Sequence, residues 1–367
     1  MVGRTGDLGK GAEPVLTWHF FSTPMNRPAA PSLSTPRPRA IRLLGTGAAL
    51  PAEELTSEQI DRQLGLSPGT VLKKTGVRRR FVETGSAAAL GAEAARRAMA
   101  AAGLGFAEID CLIAASGTPD QAMPSNGALL HRALGLSDLG IPSFDVGASC
   151  LSFLVALDTA SCLIEAGRYR RILIVSSDVA SCGLDWTKLE ASGIFGDGAA
   201  AAVVGPAGPD DGGSALLASS FATISEGAHT CEIPGGGSRH HPGRIDGPYL
   251  PLTLFRMDGK AVFRLAAERL PGFLDGLLGA AGLTLAEIPV VVPHQASLHA
   301  LEYLRRRFKL KREQVIEIFA ERGNQVGASL PSALHEAILS GRLRRGDNAL
   351  LVGTGAGVQL GGMVIRY

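Results

Sequence analysis

The sequence predicts an α/β fold built from two related halves, and alternation of segment types is the first observation behind this. Short apolar, β-rich runs alternate with helical stretches from Ile41 to the end of the chain. The runs lie at residues 41–44, 109–115, 142–146, 171–176, 290–292, 315–319, 349–352 and 363–365. Residues 86–102 form a helical stretch that opens on a serine N-cap and stops at Gly103. Such alternation is typical of α/β architecture with mostly parallel, buried strands.

The second observation is that the chain repeats itself. Residues 104–113 resemble 283–292, residues 146–149 resemble 326–329, and residues 166–171 resemble 340–345. The offsets are 179, 180 and 174 residues, so we interpret all three matches as one register. Three matches in order indicate a duplicated α/β half. Functional residues should then sit at strand–helix junctions of both halves and converge on one cavity.

Composition restricts the class of protein. A chain of 367 residues with 46% hydrophobic and 19% charged residues is long and apolar enough for a large globular core. A net charge of +2 gives no case for a nucleic-acid partner or an anionic membrane surface. No apolar run reaches the roughly 18 residues that a bilayer span needs. Residues 1–39 hold six prolines and show no sustained period, so we interpret them as a flexible N-terminal extension.

The five cysteines are odd in number, widely spread and without a Cys-x-x-Cys pair. This pattern argues against a disulfide framework or a zinc knuckle, and it favours a reducing, cytoplasmic location. We interpret three of them, in apolar strands or helix faces, as core residues: Cys111, Cys162 and Cys182. The segment 229–243 adds Cys231 and two histidines, but its spacing matches no standard zinc pattern, so a polar loop insertion is expected and no metal.

Cys150 differs from the other cysteines in its position. A strand ends near Val146, small residues make a tight turn, and an apolar helix of about five turns is expected from Cys150 toward Gly167. A cysteine in the first turn of a helix lies near unpaired backbone N–H groups, which lower the thiol pKa and favour the nucleophilic thiolate. A small apolar core residue is the alternative reading, and position alone leaves the two about even.

Two further junctions lie in the second half. His294 follows a strand and precedes a helix, and Asn324 lies in a glycine-flanked loop before the next helix. Taken alone, each has an ordinary structural explanation, as a hydrogen-bonded histidine or a turn asparagine. The glycine-rich segment 353–357 allows close backbone approach. As a nucleotide-binding signal it is weak, and so is Gly45-Thr-Gly47.

Together these residues resemble the β-ketoacyl-acyl-carrier-protein synthase III family of the thiolase superfamily. The resemblance covers residues 40–367 and depends on ordered motifs. These motifs are Lys-Thr-Gly-Val at 74–77, the nucleophile turn at 145–150, Gly-Asp-Gly at 196–198, Pro-His-Gln-Ala at 293–296, Gly323-Asn324 and the glycine loop at 353–357. The resemblance implies a thiolase-like fold with an N-terminal half at 40–208 and a C-terminal half at 209–367. The halves would be related by a pseudo-twofold axis in αβαβα layers.

The resemblance also implies a two-step acyl transfer with Cys150, His294 and Asn324 as catalytic residues. Cys150 would take an acyl group from a thioester. A malonyl thioester would then lose CO₂, and its enolate, held by His294 and Asn324, would attack acyl-Cys150 to give a 3-ketoacyl thioester. No metal or other cofactor is expected, because the substrates arrive on the phosphopantetheine of acyl carrier protein or coenzyme A.

Further positions follow from the same resemblance. Substrate-binding residues would be Met123, Gly353, Gly355, Ala356, Gly357, Thr70 and Lys74. Thr70 stands where relatives that prime with coenzyme A carry an adenine-stacking tryptophan, and Met123 stands where a residue reaches into the partner subunit of a homodimer. Two basic runs, at 78–80 and 305–312, are candidate docking sites for an acidic carrier protein, with Arg78, Arg79, Arg305 and Arg306 as the contacts. Solvated faces are the commoner explanation of such runs.

Two alternatives remain open from the sequence. The acyl group could pass to a hydroxyl, an amine or a β-keto thioester in specialised lipid or polyketide-like biosynthesis. The chain could also be a non-catalytic subunit of a synthase, although such subunits usually lose a catalytic residue and this one has all three. Chain length of the acyl group and the pathway cannot be read from the sequence.

Overall fold

In the computed structural model, residues 37–367 are described, and they form one compact unit. Most of the expected N-terminal extension, residues 1–36, lies outside the described residues. Within the described part, Arg39 already pairs with Leu216 through backbone hydrogen bonds in both directions, each 2.9 Å long. None of the helices in this part is both long enough and apolar enough to cross a bilayer.

The first half contains seven strands and six helices. In chain order they are β1 Ile41–Ala49, β2 Glu53–Thr56, α1 Ser57–Gln63, α2 Thr70–Thr75, β3 Arg79–Val82, α3 Ala87–Ala102, β4 Cys111–Ala114, α4 Asn126–Ala133, β5 Ser143–Asp145, α5 Ser152–Glu165, β6 Ile172–Asp178, α6 Leu189–Ser192 and β7 Gly198–Pro206. Their main sheet has the order β1-β7-β6-β4-β5. The expected helix at 86–102 is confirmed: Ser86 caps α3 and Gly103 ends it with a left-handed conformation.

The second half contains six strands and five helices. In chain order they are β8 Ala215–Thr223, β9 Cys231–Glu232, α7 Leu250–Thr253, β10 Arg256–Met257, α8 Gly259–Ala281, β11 Val290–Pro293, α9 Leu298–Arg307, α10 Phe319–Arg322, α11 Ser329–Leu339, β12 Asn348–Gly355 and β13 Gln359–Arg366. Its four-stranded sheet, β8-β13-β12-β11, repeats the order of β1-β7-β6-β4 in the first sheet and, among the described residues, has no counterpart of β5. The expected boundary at residues 208 and 209 lies in the loop between β7 and β8.

Five layers result from this duplication. Helix α3 covers the outer face of the first sheet and α8 the outer face of the second, while α5 and α11 lie between the sheets. One apolar cluster joins both sheets to α5 and α11, and separate clusters lie under α3 and α8. The α/β, thiolase-like fold with αβαβα layering is confirmed.

Strand direction corrects one expectation. The strands are not mostly parallel: β4 runs parallel to β5 and β6, but β7 is antiparallel to both β1 and β6, and β13 is antiparallel to both β8 and β12. The apolar run at 315–319 is also not a strand. Only Val315 bridges to Val291, because the backbone N–H groups of Ile318 and Phe319 turn away to donate to the Gln295 side chain.

The repeat register needs a correction as well. The match between 104–113 and 283–292 is confirmed, since each copy forms a short 3₁₀ turn before an equivalent strand, β4 or β11. The match between 146–149 and 326–329 is wrong by three residues. The structural equivalents are the 3₁₀ turns Ser149–Leu151 and Val326–Ala328, an offset of 177 residues. Helix α5 is three residues longer than α11, so no single offset relates the halves.

Candidate active site

Cys150 lies in the middle of a strained turn ahead of α5. The 3₁₀ turn Ser149–Leu151 precedes the helix, so the α-helix begins two residues later than expected and is shorter. Ser149 has φ of 51°, a left-handed value that is unusual for a residue with a side chain. The Ser152 hydroxyl holds this conformation, because it accepts from Ala148 N at 2.9 Å and donates to Ser149 O at 2.7 Å. Cys150 is half-buried there.

The second half contains the same turn with a different residue in its centre. Val326 also has φ of 51°, and the Ser329 hydroxyl accepts from Gln325 N at 2.7 Å. Gly327 therefore occupies the position that corresponds to Cys150. The duplication has kept the backbone of the turn in both halves and the thiol in only one.

The environment of the thiol contradicts the expected pKa. Burial raises the pKa of Cys150 strongly, and the nearby side chains of Cys231 and Asp178 raise it further. The backbone N–H groups of Cys150 and Ala356 act in the opposite direction and lower the pKa, but they do not compensate. The cost of placing a thiolate in a poorly solvated site exceeds the benefit of the helix start. Cys150 is therefore a thiol before substrate binds.

The glycine-rich segment 353–357, at the end of β12 and in the turn after it, packs against both His294 and the turn of Cys150. A side chain at Gly353 would place a Cβ atom 2.7 Å from Cβ of His294, and one at Gly355 would lie 3.2 Å from Ala148 O. Because both positions lack a side chain, the loop can follow the site closely and present Ala356 N to the sulfur. The expected close approach of this backbone is present.

His294 follows the last residue of β11. It is only 5% exposed, and its backbone N–H donates to Val352 O at 2.8 Å, which aligns it with the strand that leads into the glycine loop. Burial lowers the pKa of His294 to about 4, so the imidazole is neutral at physiological pH, as expected. Its Nδ1 atom is buried and has no hydrogen-bond partner among the described residues.

Asn324 is fixed by hydrogen bonds to its oxygen. The residue is 5% exposed and follows Gly323, whose φ of 66° turns the chain out of α10. Its Oδ1 atom accepts from Val326 N at 2.9 Å and from the Ser329 hydroxyl at 3.3 Å. The Nδ2 group makes one long contact, 3.4 Å to Ala296 O, two residues beyond His294. The amide therefore has its donor end available on the side of the histidine loop.

The three candidate residues lie on neighbouring elements from both halves. The turn of Cys150 contacts β12 and the turn Val326–Ala328 that follows Asn324. Cys150 and Val326 also pack in one apolar cluster, together with Leu298 of the helix that follows His294. A thiol, a neutral imidazole and an oriented amide around two backbone donors form a set suited to acyl transfer.

Two neighbours of the thiol were missed by the sequence reasoning. Asp178, at the end of β6, is fully buried and accepts four hydrogen bonds around the Cys150 turn. A charged residue at the end of an apolar strand was the available signal. The second neighbour is Cys231 of β9, which pairs with Met257 of β10, a residue packed against the same apolar cluster as Cys150.

The other expected binding residues lie at the surface or near it. Thr70 begins α2, where its hydroxyl donates to Ser67 O at 2.6 Å. Lys74, at the other end of that helix, is exposed and pairs with Glu190 at 2.8 Å. Met123 is 83% exposed in the loop between β4 and α4.

The two basic runs differ in what they offer. Arg78 and Arg79 are exposed but both pair with Glu321, so much of their charge is compensated locally. Arg80 is buried and is not part of a surface cluster: it binds Gly193 O and the Ser57 hydroxyl, and burial lowers its pKa to about 10. Arg305 and Arg306 lie at the end of α9, where they share Glu302.

The expectation for the cysteines is correct for Cys111, which is buried in β4, and wrong for two others. Cys162 and Cys182 are exposed, because Cys162 lies on the solvent side of α5 and Cys182 lies in a surface turn after β6. In the segment 229–243, His229 pairs with Glu232 at 2.8 Å and His241 accepts from Gly243 N. Among the described residues, no group of three or more His, Cys, Asp or Glu side chains is arranged to hold a metal ion.

Comparison with known proteins gives a consistent family. A model of the 3-oxoacyl-[acyl-carrier-protein] synthase III family matches residues 144–225, and a model of the C-terminal part of that family matches residues 278–367. The chain is 34% identical over 329 residues to β-ketoacyl-[acyl-carrier-protein] synthase III of Neisseria meningitidis, which covers 89% of this chain and 99% of the relative.

Solved structures agree with the sequence relatives. The 3-oxoacyl-(acyl carrier protein) synthase III of Pseudomonas aeruginosa has a TM-score of 0.80 at 31% identity, covering 90% of this chain and 98% of that one. The priming β-ketosynthase of the R1128 polyketide biosynthetic pathway has a TM-score of 0.79 at 29% identity, covering 91% and 98%. With this fold, these motifs and these relatives, the chain belongs to the β-ketoacyl-[acyl-carrier-protein] synthase III family.

Proposed function

We propose that the chain condenses an acyl group held on Cys150 with a malonyl thioester, releasing CO₂ and forming a 3-ketoacyl thioester. The observation that carries this proposal is the arrangement around the sulfur. Backbone N–H groups of the Cys150 turn and of the glycine loop act on the sulfur, and a neutral imidazole and an oriented amide lie on adjoining elements. Membership of a family of synthases supports the same reaction class.

In the first half-reaction, the sulfur of Cys150 attacks the carbonyl carbon of an acyl thioester. The S–C bond to Cys150 forms, the S–C bond to the carrier breaks, and the proton of the Cys150 thiol leaves with the carrier thiol. The backbone N–H groups of Cys150 and Ala356 are suited to stabilise the oxyanion of the tetrahedral intermediate. One such donor is commonly worth roughly 10²–10³ in rate.

In the second half-reaction, a malonyl thioester loses CO₂ and becomes an enolate, whose carbon attacks the acyl carbonyl on Cys150. The new C–C bond forms, the S–C bond to Cys150 breaks, and the released sulfur takes a proton from solvent. His294 and Asn324 would donate hydrogen bonds to the enolate oxygen. Burial keeps the imidazole neutral. It can therefore donate a hydrogen bond to the enolate oxygen without transferring its proton. The unpartnered Nδ1 favours a proton on Nε2, because a buried acceptor is tolerated better without a partner than a buried N–H. The amide is ready to donate since its oxygen is already occupied.

Substrate binding would use the surface on both sides of this site. Gly353, Gly355, Ala356 and Gly357 would form the backbone wall beside the acyl thioester. Thr70 and Lys74 on α2 would line the approach of the phosphopantetheine arm, on either coenzyme A or acyl carrier protein. Met123, which is 83% exposed in one copy, would complete the acyl pocket of a partner subunit in a homodimer. A large apolar side chain so exposed is suited to a contact with a second copy.

Helix α9 is the better candidate for docking an acidic carrier protein. A groove of about 630 Å³ follows this helix from Leu298, which packs against the cluster of Cys150, to Arg306 and Arg307 at its end. Arg305 and Arg306 share a single carboxylate, so the group keeps a net positive charge. Arg78 and Arg79 would be the secondary contacts, because Glu321 pairs with both.

Transfer to a different acceptor is the second candidate function. The observation that favours it is Thr70, which stands at the position of the adenine-stacking tryptophan. Without that tryptophan, the acyl donor and the pathway are less restricted than in relatives that prime with coenzyme A. Release of CO₂ from labelled malonyl carrier protein separates the candidates. Condensation predicts CO₂ and a 3-ketoacyl product, whereas ester or amide formation without CO₂ would establish the alternative acceptor.

The central experiment is intact-protein mass spectrometry after exposure to a panel of acyl-coenzyme A and acyl-carrier thioesters. The wild-type chain should gain the mass of one acyl group, and Cys150→Ala should gain none. Cys162→Ala, which removes an exposed thiol from the same helix region, is the matched control and should acylate normally. Acylation that persists in Cys150→Ala would refute the assignment of the nucleophile.

A further inference from the structure

The carboxylate of Asp178 lies among three backbone segments around the nucleophile and accepts hydrogen bonds from two of them. Its Oδ1 atom accepts from Gly117 N and Thr118 N, both at 2.7 Å, and from the Thr118 hydroxyl at 2.9 Å. Its Oδ2 atom accepts from Ala328 N at 3.0 Å. The first three donors belong to the loop after β4 in the first half, and the fourth belongs to the turn after Asn324 in the second half.

The third segment is the turn of Cys150 itself. A Cβ atom added to Gly327 would lie 2.9 Å from Asp178 Oδ2 and 3.3 Å from Ser149 O. One added to Gly117 would lie 3.4 Å from the Ser149 carbonyl carbon and 2.7 Å from Val326 Cγ1. Two glycines therefore allow the nucleophile turn and the Asn324 turn to close around one buried carboxylate.

The charge of this carboxylate also acts on the sulfur. Asp178 is fully buried, and burial raises its own pKa to about 6, while its four donors act in the opposite direction and favour the anion. The Asp178 charge in turn raises the pKa of Cys150. The titratable side chains that act on Cys150 are Asp178 and Cys231, and both act in this direction.

We propose that Asp178 is a positioning residue, which ties the loop after β4 to the turn after Asn324 across the two halves, where both pack on the turn of Cys150, and presents a negative charge to the nucleophile. This inference rests on the proposed function for its catalytic meaning, since it assumes that Cys150 is acylated and that Asn324 acts in condensation. The first consequence is geometric. When the carboxylate is removed, the turn after Asn324 loses the hydrogen bond from Ala328 N that ties it to Asp178. Its second consequence is electrostatic, because the thiol loses a neighbouring charge.

The test uses Asp178→Asn, which keeps the shape but puts an amide N–H₂ opposite Ala328 N. Reactivity of Cys150 is measured with iodoacetamide over a range of pH, by peptide mass spectrometry. In this reaction the thiolate forms the S–C bond, iodide leaves and the thiol proton passes to solvent. The profile for Cys150 should move to lower pH, with alkylation at neutral pH faster by roughly threefold to tenfold. Condensation should fall while this thiol reactivity rises.

Asp197→Asn is the matched control. Asp197 is also fully buried and also accepts four hydrogen bonds, from Glu83 N, Ala180 N, Ser181 N and the Ser181 hydroxyl. Its charge acts on Cys182 and is absent from the influences on Cys150. Asp197→Asn should lower the free energy of unfolding without shifting the pH profile of Cys150 alkylation. An equal shift in both variants, or none in Asp178→Asn, would overturn the proposal.

Thr118→Val covers the case in which Asp178→Asn does not fold. It removes one of the four donors and leaves the carboxylate in place, so the anion is less favoured and the Cys150 profile should move in the same direction by less. Alkylation needs no acyl donor. Failure of the proposed function would therefore appear as acylation persisting in Cys150→Ala, whereas failure of the Asp178 proposal would appear as an unmoved alkylation profile.

Discussion

The two halves of the molecule share a turn with the same backbone and use it differently. Ser149–Leu151 and Val326–Ala328 have the same positive φ at the first residue and the same serine clasp at the next helix start. The first half places Cys150 at the centre, and the second half places Gly327 there, against Asp178 and Ser149. In the proposed mechanism, the first half thus supplies the nucleophile, and the second half supplies the groups that hold an enolate. Both halves kept the backbone of this turn, and differences at a few positions gave them different proposed roles.

The largest expected effect tests whether the second half acts only in condensation. Asn324→Asp keeps an oxygen for Val326 N but loses the Nδ2 donor and adds a charge next to the enolate. Condensation should fall by roughly 10²–10³ or more, since one donor of this kind is worth that much. Acylation of Cys150, followed by intact mass, should continue. If both steps fell equally, the division of work between the halves would be wrong.

The next prediction concerns His294 and stability against pH. Its pKa is about 4 in the folded chain and about 6.5 unfolded, so the unfolded state binds more protons between these values. The contribution of His294 to the free energy of unfolding should therefore be complete above about pH 6.5. It should be lost, by about 3 kcal/mol, as pH falls toward 4. Denaturant unfolding of His294→Gln should show a flatter slope in this window. His229→Gln, an exposed histidine, should follow the wild type, and a slope shared by all three proteins would contradict the prediction.

A smaller effect is expected at the position that corresponds to Cys150. Gly327→Ala would place its Cβ 2.9 Å from Asp178 Oδ2 and 3.2 Å from Ala115 O, so the turn must shift. We expect a loss of about 1–3 kcal/mol in the free energy of unfolding. Gly272→Ala in α8, where a Cβ meets open space, is the matched control and should be neutral or slightly stabilising. An unchanged unfolding midpoint for Gly327→Ala would show that the second turn is looser than the first.

The smallest effect concerns docking on the surface of the second half. Arg306→Glu should raise KM for a carrier-linked substrate by roughly threefold to tenfold at low salt, because surface charges mainly affect encounter. KM for a short pantetheine thioester should not change. Arg96→Glu, on the exposed face of α3 in the first half, is the control. A similar rise in KM for both variants would indicate a general charge effect and no docking site.

Much of the fold followed from the sequence because its signals were local. The Ser86 cap and Gly103 stop of α3, the buried run of β4 and the repeat at 283–292 each depend on nearby residues. Strand β7 gave no such signal, since Ala199–Ala202 favour a helix in isolation and form a strand only because they are buried between α3 and α11. The three-residue error in the repeat has a similar cause. The segment Val-Gly-Ala-Ser occurs at 146–149 and at 326–329, but it lies three residues earlier relative to the equivalent turn in the first half. Only the backbone structure reveals this displacement.

For the site, residue types and their order indicated Cys150, His294 and Asn324 as candidates, and the structure shows the burial that keeps the imidazole neutral. The pKa of Cys150 was predicted in the wrong direction, because a helix start is visible in sequence and the solvent access of its first turn is not. Asp178 was missed for the same reason. Its partners lie 60, 61 and 150 residues away along the chain, so their convergence depends on tertiary structure.

Gly45 and Gly47 on β1 face α3 so closely that a Cβ atom at either would lie within 2.5 Å of the helix backbone, at Ala98 O or Ala94 O. This pair, which looked like a weak nucleotide-binding signal, sets the thickness of the outer layer. The first residues of α3 donate in turn to Asp120, three positions before Met123. Under the proposed role of Met123 in the acyl pocket, changes to its loop should therefore leave both glycines untouched, because a side chain added at either would displace α3 and, through Asp120, that loop.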